Sequence, residues 1–183
     1  MDEQTAQLFL SNTFTRHEAT RRLQLIKDLV NYRLFDCAPG TDLATILPQF
    51  KQKLEGELEQ AHTEADLQFI GTLGEKFINN FNPTRLSEQF QVLEELIKNC
   101  KLVMLYIPFE IPEVEIKKLG VWFKQNLGNN SLFEIEFDSN LIGGCAISYN
   151  GIYRDYSIKQ RIDDNKKRVL DILLSYRKGA HPS

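Results

Sequence analysis

The chain has 183 residues, 42% hydrophobic and 26% charged, with a formal net charge of -3, which is the balance of a globular protein with a core of its own. No apolar run reaches the ~18 residues of a membrane-spanning helix. One basic triplet, Lys166-Lys167-Arg168, is far from the positive field of a nucleic-acid binder. The charge is uneven: up to Ile97 there are 9 Lys and Arg against 15 Asp and Glu, and beyond it 13 against 10. Such a split suits two units with different partners.

Catalytic and metal chemistry find little support. Cys37, Cys100 and Cys145 are odd in number and far apart, which fits neither a disulfide framework nor zinc spacing, so all three are expected reduced and mostly buried. His17, His62 and His181 are scattered, the last in a tail from Lys178 that is expected to fray. The carboxylates Glu55, Glu57 and Glu59, and Asp163 with Asp164, lie in polar helical segments and read as solvated faces. The opening Met1-Asp2-Glu3-Gln4 lacks the basic flank and apolar core of a signal peptide, making the cytosol the expected compartment.

From Gln4 to Leu34, Leu8, Phe9, Phe14, Leu23, Ile26, Leu29 and Val30 recur at helical spacing. A break near Ser11-Asn12-Thr13 predicts two helices, with Thr15 and Glu18 forming a capping box. Pro39-Gly40 marks a loop. Helix is predicted over 41–61, interrupted or kinked at Pro48, then over Glu64–Asn79 and Thr84–Asn99. This makes residues 1–99 an all-α bundle of five or six helices.

The pattern changes at Lys101, which opens a predicted domain over 100–183. Leu102–Ile107 reads as a buried strand, and a helix led by Pro112 carries Ile116, Leu119, Phe123 and Leu127 on one face. Phe133-Glu134-Ile135-Glu136-Phe137 alternates strictly and predicts a strand with one dry face. Leu141-Ile142-Gly143-Gly144 precedes Cys145–Tyr149 and Ile152–Asp155, joined by Asn150-Gly151, a two-residue hairpin signal. Paired glycines invite a phosphate-loop reading, but here they enter a strand and no Gly-Lys-Ser/Thr follows. Ser157, with Gln160 three residues on, predicts a capping box for one long closing helix, whose apolar stripe is Ile158, Ile162, Val169, Leu173 and Tyr176. The fold class is therefore α+β: an all-α bundle, then a small α/β domain of strand, helix, strand, β-hairpin and helix.

The ordered series Phe133–Asp138, Leu141-Ile142-Gly143-Gly144, Asn150-Gly151, Asp155, Ser157 and Ile158 onward resembles the C-terminal part of the delta subunit of bacterial F-type ATP synthases, the family of the oligomycin-sensitivity-conferring protein. The resemblance covers Lys101–Tyr176, with two departures: Tyr156 stands where the family usually has Gly, and Ser139 where it typically has Pro or a similar residue. It implies a non-catalytic peripheral-stalk subunit without cofactor or metal. The helical domain would grip N-terminal segments of the alpha subunits, and the C-terminal domain would hold the C-terminal helix of the b subunit. The stripe Ile158, Ile162, Val169, Leu173 and Tyr176 would carry the stalk contact, and the protein would sit peripherally on the cytoplasmic side of the cell membrane, without inserting. Two other readings remain: a free-standing protein–protein adaptor, or a vacuolar/archaeal-type stator subunit. The latter's very long opening helix is at odds with Pro39-Gly40, Pro48 and Pro83.

Overall fold

The computed structural model describes residues 3–54 and 60–177, with side chains over 7–54 and 64–176. Glu55, Glu57, Glu59, His181 and the tail from Lys178 lie outside these residues, as does the side chain of His62. The chain divides into two compact units, Met1–Lys101 with Lys117–Leu132, and Leu102–Ile116 with Phe133–Ser183.

The first unit opens with α1 (Glu3–Ser11) and α2 (Arg16–Phe35). The predicted capping box is present: Thr15 Oγ1 accepts the Glu18 N–H at 3.0 Å, and Glu18 Oε2 accepts the N–H groups of Phe14 and Thr15 at 2.8 and 3.4 Å. Helix α3 (Leu43–Leu54) starts where Asp42 Oδ1 accepts the Thr45 N–H at 3.1 Å, and hydrogen bonds from the Thr45 side chain and backbone hold the Asp42 carboxyl below its usual range. It runs on through Pro48, where the sequence predicts an interruption or a kink, without being interrupted. Burial of Leu43, Ile46, Phe50 and Leu54 on one face offsets the missing proline donor.

Helix α4 (Gln60–Asn79) is broken at Gly74, whose φ of 76° and ψ of 174° are not helical, although the sequence predicts unbroken helix there. A 3-10 turn at Pro83–Arg85, capped by Asn82, leads into α5 (Leu86–Lys98), which buries Leu93 and Ile97. A polar cluster that the sequence does not reveal ties α2 and α4 to the turn after α1. Asp66, 1% exposed, pairs with Arg21 and with Arg22 at 3.0 Å. Arg22 also pairs with Glu18 at 2.8 Å, donates to the Asn12 carbonyl at 2.7 Å, and lies 3.9 Å over the Phe69 ring.

Helix α6 (Glu113–Leu127) begins after Pro112, whose carbonyl accepts from Glu115 and Ile116, and stops at Gly128, where φ is 101°. Its buried residues are Gly120, Phe123 and Lys124. A Cβ at Gly120 would lie 2.3 Å from Phe14 Cγ, because the ring rests on the helix backbone. Gly120→Ala is therefore expected to cost ~1–3 kcal/mol by overpacking, read from the urea midpoint.

Lys124 is 8% exposed; its Nζ donates to the Asn129 carbonyl at 2.9 Å, and burial lowers its pKa to about 8 against opposing fields from Cys100 and Glu18. The unfolded chain keeps this proton up to the ordinary lysine value of 10.5. Charging buried Lys124 therefore costs stability below about pH 8, and the cost fades as pH rises toward the unfolded value. The urea midpoint should accordingly gain a rising contribution across that window, which Lys124→Met removes. The Cys100 thiol, pushed up mainly by burial, acts with opposite sign in both proteins.

The strands β1 (Lys101–Ile107), β2 (Ser131–Phe137), β3 (Ala146–Tyr149) and β4 (Ile152–Asp155) form one sheet in the order β2-β1-β3-β4. Lys101 N–H donates to the Asn130 carbonyl and Asp138 N–H to the Ile107 carbonyl, both at 2.9 Å, so β2 runs parallel to β1, as a strand–helix–strand crossover allows. On β1, Val103, Leu105 and Ile107 are buried, and Leu102, Met104 and Tyr106 are half-buried. Dry and wet faces do not separate on β2 as its alternation predicts: burial fades along this edge strand until Phe137 is exposed.

β3 and β4 pair antiparallel with Tyr149 opposite Ile152, and Asn150 and Gly151 take φ of 51° and 75°, the two positive values that a type I′ turn needs. The predicted single closing helix is two, α7 (Ile158–Asp164) and α8 (Lys166–Arg177). Asn165 makes the break: its backbone N–H and side-chain amide both donate to the Arg161 carbonyl, while its own carbonyl accepts from Val169 and opens α8.

Candidate functional site

The sequence motifs of the second unit meet at one crossing of the chain. Asp138 Oδ1 accepts the Asn140 N–H at 2.9 Å and the Asp138 carbonyl accepts from Leu141 at 3.3 Å, so Ser139 sits in a tight turn. Leu141 is buried and Ile142 exposed. Gly143 and Gly144 then take φ of 66° and 76°, values at which an L side chain is strained. A Cβ on Gly144 would lie 2.6 Å from the Tyr156 carbonyl oxygen and 3.0 Å from Ser157 Cα, and one on Gly143 would lie 2.8 Å from Ile158 Cδ1. The double glycine is thus the place where the approach to β3 presses against the exit from β4.

Backbone bonds close the crossing: Cys145 O accepts from Tyr156 at 2.8 Å and Gly143 O from Ile158 at 3.3 Å. Asp155 Oδ1 accepts the Ser157 N–H at 2.7 Å, and buried Ser157 accepts the Gln160 N–H on its Oγ at 3.2 Å, capping α7. The Gln160 amide turns instead to Asp164 at 2.9 Å. The predicted capping box is therefore half made, and Asp155 takes the role expected of Gln160. Hydrogen bonds from the Ser157 side chain and backbone lower the Asp155 pKa. Tyr156 fits where a glycine was expected because its φ is not positive; among the described residues Asn150 is the one non-glycine in that region. Asn150 and Gly151 stand at the other end of the hairpin, away from this crossing.

Beyond the crossing, the residues of the predicted stripe are poorly covered. Ile158, Ile162, Leu173 and Tyr176 are between 45% and 58% exposed, and Val169 is half-buried. Leu170, Ile172 and Leu174, which the stripe did not include, are exposed as well, so apolar surface wraps much of α8. A helix of 12 residues is marginal alone in water, and an apolar patch of this kind marks a contact surface. Among the described residues no three His, Cys, Asp or Glu side chains are grouped to hold a metal ion, and no helix is long and apolar enough to cross a membrane. In the first unit a polar groove lies between α2 and α5, lined by Gln24, Asn31, Ser87 and Gln91 and spanned by the Lys27–Glu94 ion pair.

No protein-family model matches the chain. It is 32% identical over 89 residues to the ATP synthase subunit delta of Rickettsia canadensis, covering 47% of this chain and 48% of that protein. It is 29% identical over 119 residues to the subunit delta of Thermosipho africanus (65% and 64%), and 34% over 80 residues to that of Malacoplasma penetrans (44% and 42%). The matched segment spans between 42% and 64% of the length of these curated relatives. With subunit delta recurring across distant bacteria, the chain is a homologue of ATP synthase delta subunits.

Proposed function

We propose that the protein is a non-catalytic peripheral-stalk subunit of an F-type ATP synthase, linking the alpha subunits of the catalytic head to the b-subunit stalk so that the head does not turn with the rotor. Residues 1–99 take the N-terminal segments of alpha, and residues 100–183 hold the C-terminal helix of b. The protein then works on the cytoplasmic side of the cell membrane as a peripheral component. The observation that carries this reading is the uncovered apolar surface of α7 and α8, in a relative of delta subunits. A partner helix with apolar anchors at i, i+3 and i+7 would cover it, and two docking sites in one chain raise each other's effective concentration.

The test is capture of b by the full chain and by a chain cut after Asp155, which lacks α7 and α8. Full-length protein should retain b and the truncated one should not. Equal retention by both would remove α7 and α8 from the stalk contact.

A further inference from the structure

One face of the sheet is unexplained by the stalk contact. The parallel register of β1 and β2 sets Lys101 beside Ser131 and Ile107 beside Phe137, which places Met104 beside Glu134 and Tyr106 beside Glu136. Across β3 the pairs are Met104↔Ser148↔Tyr153 and Tyr106↔Ala146↔Asp155. Two rows therefore cross the sheet on the same face: Glu134-Met104-Ser148-Tyr153 and Glu136-Tyr106-Ala146-Asp155. Small Ser148 and Ala146 in the middle let the Tyr106 and Tyr153 rings approach to 5.9 Å. Tyr153 is 55% exposed and Glu136 exposed, while Tyr106, Met104, Glu134 and Asp155 are half-buried. Glu134 and Glu136 form no ion pair among the described residues.

We propose that this face is a second docking surface, which takes a protein helix carrying Lys or Arg at i and i+4. Phenol rings attract a cation over their faces, and carboxylates at both edges of the sheet supply the complementary charge. Successive rows are about 7 Å apart along a strand, close to the ~6 Å between side chains at i and i+4 of a helix. The Tyr153 phenol is pushed up first by burial and then by Asp155 and Asp138, which fits a negative field over the rings. The surface uses none of the apolar residues of α7 and α8, and it holds whether or not those helices bind b.

The test is a titration of the isotope-labelled full chain with a synthetic alanine-based helix bearing Lys at i and i+4, followed by amide NMR. Saturable shifts are expected at Met104, Tyr106, Ser148 and Tyr153, absent with the same peptide bearing Glu and weaker as salt is raised. Glu134→Gln with Glu136→Gln should weaken binding about tenfold without changing the thermal midpoint. Tyr153→Leu should weaken it too, keeping an apolar residue but removing the ring. Absence of saturable shifts, shifts confined to other parts of the chain, or unchanged affinity in both variants would overturn the proposal. Complete displacement by equimolar spermidine would likewise overturn it, since that marks a small-cation site.

Discussion

Gly144→Val is expected to destabilise the second unit by roughly 3–5 kcal/mol, the sum of a left-handed φ imposed on a β-branched residue and a backbone clash. The φ there is 76°, and the new Cβ would stand 2.6 Å from the Tyr156 carbonyl oxygen. That oxygen belongs to the backbone, so no side-chain rotation relieves the contact. Gly40 separates the two causes: its φ is 86°, yet nothing lies within 4 Å of its Cβ position. Gly40→Ala should cost only ~1–2 kcal/mol, the left-handed penalty alone. Amide exchange in the unit that carries each glycine, the first for Gly40 and the second for Gly144, reads the difference. A Gly144→Val protein with native protection at Ile147 and Arg154, which face each other across the hairpin, would show that the crossing tolerates a side chain. On the stator reading the same variant should also lose b, while its bundle stays helical.

Asp66→Ala is expected to destabilise the first unit by ~3–5 kcal/mol. The carboxylate is almost wholly buried and accepts from both Arg21 and Arg22. Its removal leaves Arg22 buried, with Glu18 as its remaining acidic partner, and the cost of an under-compensated buried cation exceeds that of a lost surface bridge. Asp66→Asn keeps an oxygen for one guanidinium and should fall between the two. Urea unfolding followed at Trp122, the chain's single tryptophan, reports on this unit. A loss below about 1 kcal/mol, the range of an exposed pair, would mean that the network adds little to stability.

What the sequence disclosed was decided over short spans. The Thr15 and Glu18 capping box and the Asn150-Gly151 turn use residues at most three apart, and local chemistry alone specifies them. The Asp66 cluster joins residues 44 and 45 positions apart, and nothing in the spacing of an aspartate in an amphipathic helix announces that it will be buried. Nothing in the sequence singles out Lys124 among the lysines of α6, but the turn after α6 brings the Asn129 carbonyl back onto its ammonium. Gly74 and Asn165 each break a helix that periodicity carried straight through, because apolar spacing persists across a single non-helical residue. At the candidate site, the motif residues were visible as a list, with their contacts hidden. The double glycine reads as a bend, whereas its close approach to Tyr156 and Ser157 joins two parts of the motif that are 12 or more positions apart in the chain.

The claim that this chain bridges two partners is tested most directly by immobilising the b-subunit soluble domain and measuring retention of alpha with and without the full-length protein. Alpha should be retained only when the protein is present, and lost again when it is cut after Asp155. Retention of alpha that does not depend on the protein, or capture of b with no alpha recruited, would contradict the bridging role.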